Sequence, residues 1–548
     1  MEGVEQKSWG FEISPVPRPQ NRNPASTVDL ERIQYALDHV RAHPNNKVLL
    51  RHGEYDLGTG TLQLNRAVQL VGEKPVRRRT GGFGAERGVT VVGGGAPPSD
   101  HFAIVWGAAN RVSATIQDIR FQGFIGDAIR IYRTEGSNAI RGCSFVSYEP
   151  IDRAPLAATG GRILLACPIV LEPTARDPDD LQGTLRIEHC FIGGPITDVQ
   201  VQVDANSTRD YDPAIDAINN ILHLGNSNLD LHVVHNELVD MYWVPIMVWG
   251  NKGETTITDN VIVKNNSYWR DGAAISFGMT NAAYYNAAAW DGRATIARND
   301  IRVASPTSYG IMVTMYSGKL SQAPPLNAPH VTVEHNTISM EGKNERAALA
   351  CLGGCDDTLW TGNKVNGSAA YGILISRSVP EGGLAETQAG PTSNRFVGND
   401  LSGLFASYAQ AFITAEAELS DLDRNTFGSL WAPPVPAFAL KKERAGIFCN
   451  GTSGGLFLNR FVSMWAGAPY AIHLGKASSK NLVRWTPGNF PPATVGLPDA
   501  QILDEGKLND VARLHPVVKK PPKPKVAKKI AKPSPPVRPR QPRMTRQP

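Results

Sequence analysis

No apolar run in this 548-residue chain reaches the ~18 residues of a helix that crosses a membrane, so an integral helical membrane protein is excluded. The first twenty residues, MEGVEQKSWGFEISPVPRPQ, lack a basic stretch followed by an apolar one, and no cleavable secretion signal is expected in this chain. Cysteine is scarce, six residues in all, too few for a disulfide scaffold. Most sit singly in apolar stretches, where buried, reduced thiols are expected. Cys351 and Cys355 are spaced CxxxC but have no second Cys/His cluster, so neither a metal nor a cofactor is expected. Acidic residues are absent from Pro516 to Pro548, which carries seven lysines and four arginines; the remainder has 45 basic and 51 acidic residues. The formal charge of +5 therefore hides a mildly acidic body and a basic, proline-rich tail. Such a tail cannot bury a core, and disorder is expected over 501–548. By charge alone it suits an anionic polymer.

What the chain does have is internal repetition. One pattern, apolar alternation with a corner ending in Asn or Cys and then more alternation, recurs at Cys143, Cys190, Asn236, Asn260, Asn299, Asn336, Asn363, Asn399 and Asn425. A second pattern, a small residue followed by apolar alternation, appears in DAIRIY (127–132), VPIMVW (244–249), AAISFG (273–278), YGIMVT (309–314), YGILIS (371–376), AGIFCN (445–450) and YAIHLG (470–475). Period-2 alternation makes half-buried strands. Asparagine tolerates left-handed backbone and so suits a tight corner. Three short strands per coil, stacked at ~4.8 Å, build a parallel β-helix in which the corner asparagines form a hydrogen-bonded ladder.

The segment Ser26–Gly72, STVDLERIQYALDHVRAHPNNKVLLRHGEYDLGTGTLQLNRAVQLVG, resembles the start of right-handed parallel β-helix proteins of the pectate-lyase-like superfamily. These open with a capping helix and a first coil. Here Leu30, Ile33, Leu37 and Val40 share one helical face, and Ser26-x-x-Asp29 reads as a capping box. The resemblance implies an all-β fold: one right-handed parallel β-helix over 26–500, an extended lead over 1–25 and the tail over 501–548. The interruption at 197–230 is expected to hold a helix starting at Asp212-Pro213, with Ile215, Ile218, Ile221 and Leu222 apolar.

The superfamily hosts lyases, hydrolases, epimerases, tailspikes and passive stalks, so the fold alone names no activity. Its catalytic motifs find no clear match. The lyase calcium aspartates and arginine are not evident, and Asp177-Pro178-Asp179-Asp180 lacks the histidine of the epimerase string. Asp356-Asp357 falls in an ordinary repeat turn. His189, His235 and His335 each precede a ladder residue and read as repeat positions.

Alternation in the second pattern leaves Arg130, Tyr132, Met247, Trp249, Ser276, Met312, Thr314, Leu374, Ser376, Phe448, Asn450 and His473 facing out. The resemblance implies that this strand face forms the substrate groove. Around coils 237–320 the rim carries Asp240, Tyr242, Trp243, Tyr268, Trp269, Arg270, Asp271, Trp290 and Asp291. Sugars stack their C–H faces on rings and pair their hydroxyls with carboxylates. Polysaccharide recognition is therefore expected, through Tyr242, Trp243, Trp249, Tyr268, Trp269 and Trp290. Cleavage by hydrolase or lyase chemistry would rest on Asp240, Asp271 or Asp291, with Arg270 steadying developing charge. Two alternatives stand beside it: the rings pack beneath their own loops, or they form the seam of a homotrimer in a non-catalytic stalk or surface-attachment module.

Overall fold

The computed structural model describes residues 3–15, 28–43, 45–58, 60–74, 88–92, 103–122, 128–146, 168–172, 180–193, 221–241, 244–264, 272–279, 292–315, 330–342, 344–377, 390–430, 445–462, 470–485 and 502–513. They form a right-handed parallel β-helix, the hand that parallel crossovers adopt. A representative coil runs through Glu254–Thr258, Val261–Lys264 and Ala273–Met279. Each strand pairs in parallel register with its counterpart in the next coil: Ile257 with Ile296, Ile262 with Ile301, Ile275 with Ile311. These are called below the first, second and third strands of a coil. The inward positions form one continuous apolar core along the bore. Ile275, Ile311, Val313 and Ile373, all expected inside, are fully buried.

The corner between first and second strands follows the expected ladder. Asn260, Asn299, Asn336, Asn363 and Asn399 are buried. The ladder runs from Asn236 to Asn459. Each Nδ2 donates to the next asparagine's Oδ1, as from Asn260 to Asn299 at 2.9 Å, and also to a backbone carbonyl, here Val233 O at 2.9 Å. The backbone N–H of Asn260 donates to the same Oδ1 at 3.1 Å. One amide thus satisfies three buried groups at a corner that has no strand partner. The expected reason for asparagine needs correction. The left-handed residue is the one before it: His189, His235, Asp259, Arg298 and His335 have φ of 53–59°. Asparagine is needed for its side chain, which explains why Cys143 and Cys190 can occupy the first two places. Both thiols are buried, and each donates to a backbone carbonyl at 3.5 Å.

Both ends depart from expectation. Residues 3–15 are no simple extended lead. Val4–Lys7 and Gly10–Ile13 form an antiparallel hairpin whose second strand pairs with Lys47–Leu50. The hairpin closes the bore together with helix Val28–His39, which buries Ile33, Ala36 and Leu37. Ser26 lies outside the described residues. Asp29 Oδ2 accepts from Asp56 N at 3.1 Å, tying the helix to the first coil. At the other end the coils continue past residue 500, because Ile502–Asp504 and Asp510–Arg513 pair with the preceding rung. In the 197–230 interruption, Ile221 and Leu222 belong to strand Ile221–Val234 and pair with Ile169 and Val170. That apolar run adds a rung where a helix was expected. Asp212, Pro213, Ile215 and Ile218 lie outside the described residues, as does the tail from 514.

Candidate functional site

The outward side of the third strands carries two rows in register. One runs Met247, Ser276, Met312, Ala350, Leu374, Phe412, Phe448, His473, Leu503. The other, two residues further along each strand, includes Trp249, Gly278, Thr314, Leu352 and Ser376.

Exposure divides these rows into two stretches. In the earlier coils the outward side is closed over. Met247, Ser276, Met312 and Thr314 are all buried, and Met312 joins Ala273, Tyr309, Ala350, Leu352 and Leu374 in an apolar cluster separate from the bore. Trp249 is half-buried, and its indole N–H donates to Ser276 Oγ at 3.0 Å. Trp249 is the one expected site residue whose side chain is described. Asp240 has its backbone in strand Glu237–Met241. Tyr242, Trp243, Tyr268, Trp269, Arg270, Asp271, Trp290 and Asp291 lie outside the described residues. Lys264, which ends a second strand in this stretch, is fully buried, and desolvation pushes its ammonium down to about 7.

In the later coils Leu374, Ser376, Phe448 and His473 are buried as well, but some neighbouring rings reach the surface. In Lys364–Ser376 and Asp400–Ile413 a single strand serves as both second and third strand, with no inserted segment between them. At that point the coil of Val261–Lys264 carries 265–272, the next two carry the shorter links 304–308 and 341–346, and the coil after Asp400–Ile413 carries 431–444. The bend of Asp400–Ile413 is pinned by buried Gln410, whose amide donates to Leu404 O at 2.9 Å and to Ser429 O of the next coil at 2.8 Å. Gly372 allows the neighbouring coil to approach; a Cβ there would lie 2.6 Å from Gln410 O. Tyr371, Tyr408 and Phe412 are half-buried, as is Tyr470 further along.

These rings form a continuous chain. Tyr371 stacks on Tyr408 at 5.4 Å and lies 5.3 Å from Phe412; Phe412 stacks on Phe448 at 5.1 Å. Phe448 meets the edge of His473 at 5.1 Å, and Tyr470 lies 6.1 Å from His473. His473 Nε2 is 3.0 Å from Glu505 Oε2, which closes the chain with a charged group. Phe448 and His473 belong to the outward set legible in the sequence. Tyr371, Tyr408, Phe412, Tyr470 and Glu505 were missed. The available signal was the short link NGSAA between LWTGNKV and YGILIS, which leaves Tyr371 without a long insertion beside it.

Asp357 holds the left-handed corner position at φ 51° and pairs with His330 Nδ1 at 2.6 Å. Burial pushes the Asp356 carboxyl up. This agrees with a structural turn.

No family model matches the sequence, and no curated protein matches it significantly. Similar solved structures include DFA-IIIase from Arthrobacter chlorophenolicus A6 in complex with GF2, at 11% identity and TM-score 0.40, covering 91% of this chain and 98% of that one. The surface adhesin PfbA of Streptococcus pneumoniae is similar at 12% identity and TM-score 0.36, over 90% of this chain and 92% of its own. Neither likeness bears on the site residues.

Proposed function

We propose that this protein binds polysaccharide along the outward face of its third strands. The observation that carries the reading is the cluster of half-buried rings Tyr408, Tyr371 and Phe412, on two neighbouring coils whose second and third strands are continuous, backed by the buried rings Phe448 and His473. A patch of accessible rings matches the apolar faces of a sugar chain. Each sugar offers an apolar C–H face to a ring, and the rigid coils hold the rings in place before binding. Trp249 lies on the same face, four rungs before Tyr371, or about 19 Å at ~4.8 Å per rung. In this reading the Tyr-Trp residues of 237–320 are proposed as a second contact for a long chain. Cleavage is assigned to Asp240, Asp271 or Asp291 with Arg270, since general-acid chemistry needs a carboxyl beside the bound sugar.

A glycan array with the full chain, followed by titration calorimetry on any hit, tests the binding. Tyr371→Ala and Phe412→Ala should each weaken it by about 1–2 kcal/mol. Unchanged affinity in both variants overturns the reading. Reducing-end and unsaturated-product assays on the same hit test cleavage. The rival reading, a rigid non-catalytic surface module, is favoured by the ladder of asparagines from Asn236 to Asn459, which stiffens the coils independently of any ligand. It takes precedence if no glycan binds.

A further inference from the structure

We infer that the ligand of the ring chain is an uncharged, hydroxyl-rich glycan lying parallel to the helix axis. This rests on the polysaccharide reading and names its chemical class. Beside the rings, two residues on along each third strand, runs a polar row: half-buried Thr414 and Asn450 and exposed Glu505, preceded by buried Ser376. The register follows from backbone bonds: Thr414 N to Ile375 O at 3.0 Å, Asn450 N to Ile413 O at 2.9 Å, and Glu505 N to Leu474 O at 2.9 Å.

Gly475 fills the place between Asn450 and Glu505. A Cβ there would meet Asn450 Oδ1 at 2.1 Å and Phe448 Cζ at 3.0 Å, so the missing side chain makes room for both. Ring row and polar row therefore run side by side along the axis. That is the geometry for a ligand whose apolar faces stack and whose edges carry hydroxyls.

The charge within the row decides the class. The accessible neutral members, the Thr414 hydroxyl and the Asn450 amide, donate and accept, which suits hydroxyl partners. Glu505 is its one charged member, held against His473 and exposed. A carboxylate accepts from sugar hydroxyls but repels a uronate or sulfate. The described cations bordering the row, Arg377 and Lys476, each lie one residue beyond it, at the turns that leave this face. An anionic chain would thus meet Glu505 inside the groove with its compensating charges only at the margin.

The test uses the full chain and two probes of matched length and linkage, a neutral glucan and its uronate counterpart. Because the basic tail attracts any polyanion, the affinity counted for each probe is the part abolished by Phe412→Ala. The neutral chain should bind at least about tenfold tighter. Glu505→Gln should shrink that preference severalfold by raising the ring-dependent affinity for the uronate chain, and Asn450→Ala should weaken neutral binding severalfold. Equal or tighter ring-dependent binding of the uronate chain overturns the class and leaves the polysaccharide reading standing. Binding of both probes that ignores Phe412→Ala overturns the two together.

Discussion

The third strands of the earlier coils, around Trp249 and Met312, and those of the later coils, around Tyr371 and Phe412, have the same alternation and occupy one continuous sheet, yet their outward sides differ in how many rings they leave accessible. Met247, Ser276, Met312 and Thr314 are as buried as the bore itself. In the later coils Leu374, Ser376, Phe448 and His473 are buried too, but Tyr371, Tyr408, Phe412 and Tyr470 reach solvent. Alternation decides which way a side chain leaves the sheet. Whether it then meets water depends on what else the chain lays across that side. The lesson concerns aromatic residues in solenoids: a ring in an outward position is a binding candidate only where the neighbouring turns leave it accessible.

The largest effect that would sharpen this contrast comes from inside the earlier stretch. Phe277→Ala empties a fully buried bore position, and about 3–5 kcal/mol should be lost in denaturant unfolding. A loss under roughly 0.5 kcal/mol would mean that inward and outward are exchanged there.

Next is Lys264, whose burial holds its amine near 7 against roughly 10.4 in an unfolded chain. Below pH 7 both states carry the proton, and the folded state bears the full cost of a buried charge. Between about pH 7 and pH 10 the unfolded chain holds a proton that the folded one does not, so stability rises with pH by a few kcal/mol. Lys264→Met should remove that rise and stabilise the protein at pH 7. A denaturant midpoint in the wild-type chain that is flat from pH 7 to 9.5 would show that the ammonium stays solvated.

A pair of ring deletions would break the comparison most directly. Trp249→Ala should act chiefly on stability, about 1–2 kcal/mol, because its indole is packed against Ser276. Phe412→Ala should act chiefly on glycan affinity, by a similar amount. The reverse outcome, binding lost with Trp249 and stability with Phe412, would place the groove in the earlier coils. The smallest effect is expected from removing 516–548. The thermal transition should stay within a degree or so, while adsorption to an acidic polymer falls and loses its salt dependence. A truncated chain that fails to fold would refute the expectation of a tail without a core.

Much of the fold was legible because its determinants are local and repeated. Period-2 runs such as TITDNVIV and TIARNDIRV mark the first and second strands, and the corner asparagine marks their junction. The left-handed residue was assigned one place too late. Asp, His and Arg do not advertise positive φ as strongly as asparagine does. The third strand of Asp400–Ile413 escaped notice because its apolar sequence, AQAFI, lacks the glycine that marks YGIMVT and YGILIS. Phe412 was lost with it, and Glu505 was assigned to the tail because one short rung, ILD, leaves little periodic signal.

By itself the sequence determined the coil, the corner ladder and the direction of each strand side chain. These follow from backbone sterics and from hydrogen bonds between neighbouring rungs, and every repeat states them again. Only the tertiary structure decided which outward rows are covered and which ring meets which. Exposure depends on insertions whose lengths follow no period, and ring contacts join residues such as Tyr371, Phe412 and Phe448 that lie 36 to 41 positions apart in the chain. Stacking of parallel rungs converts that separation into a distance of about 5 Å, and no local pattern records it.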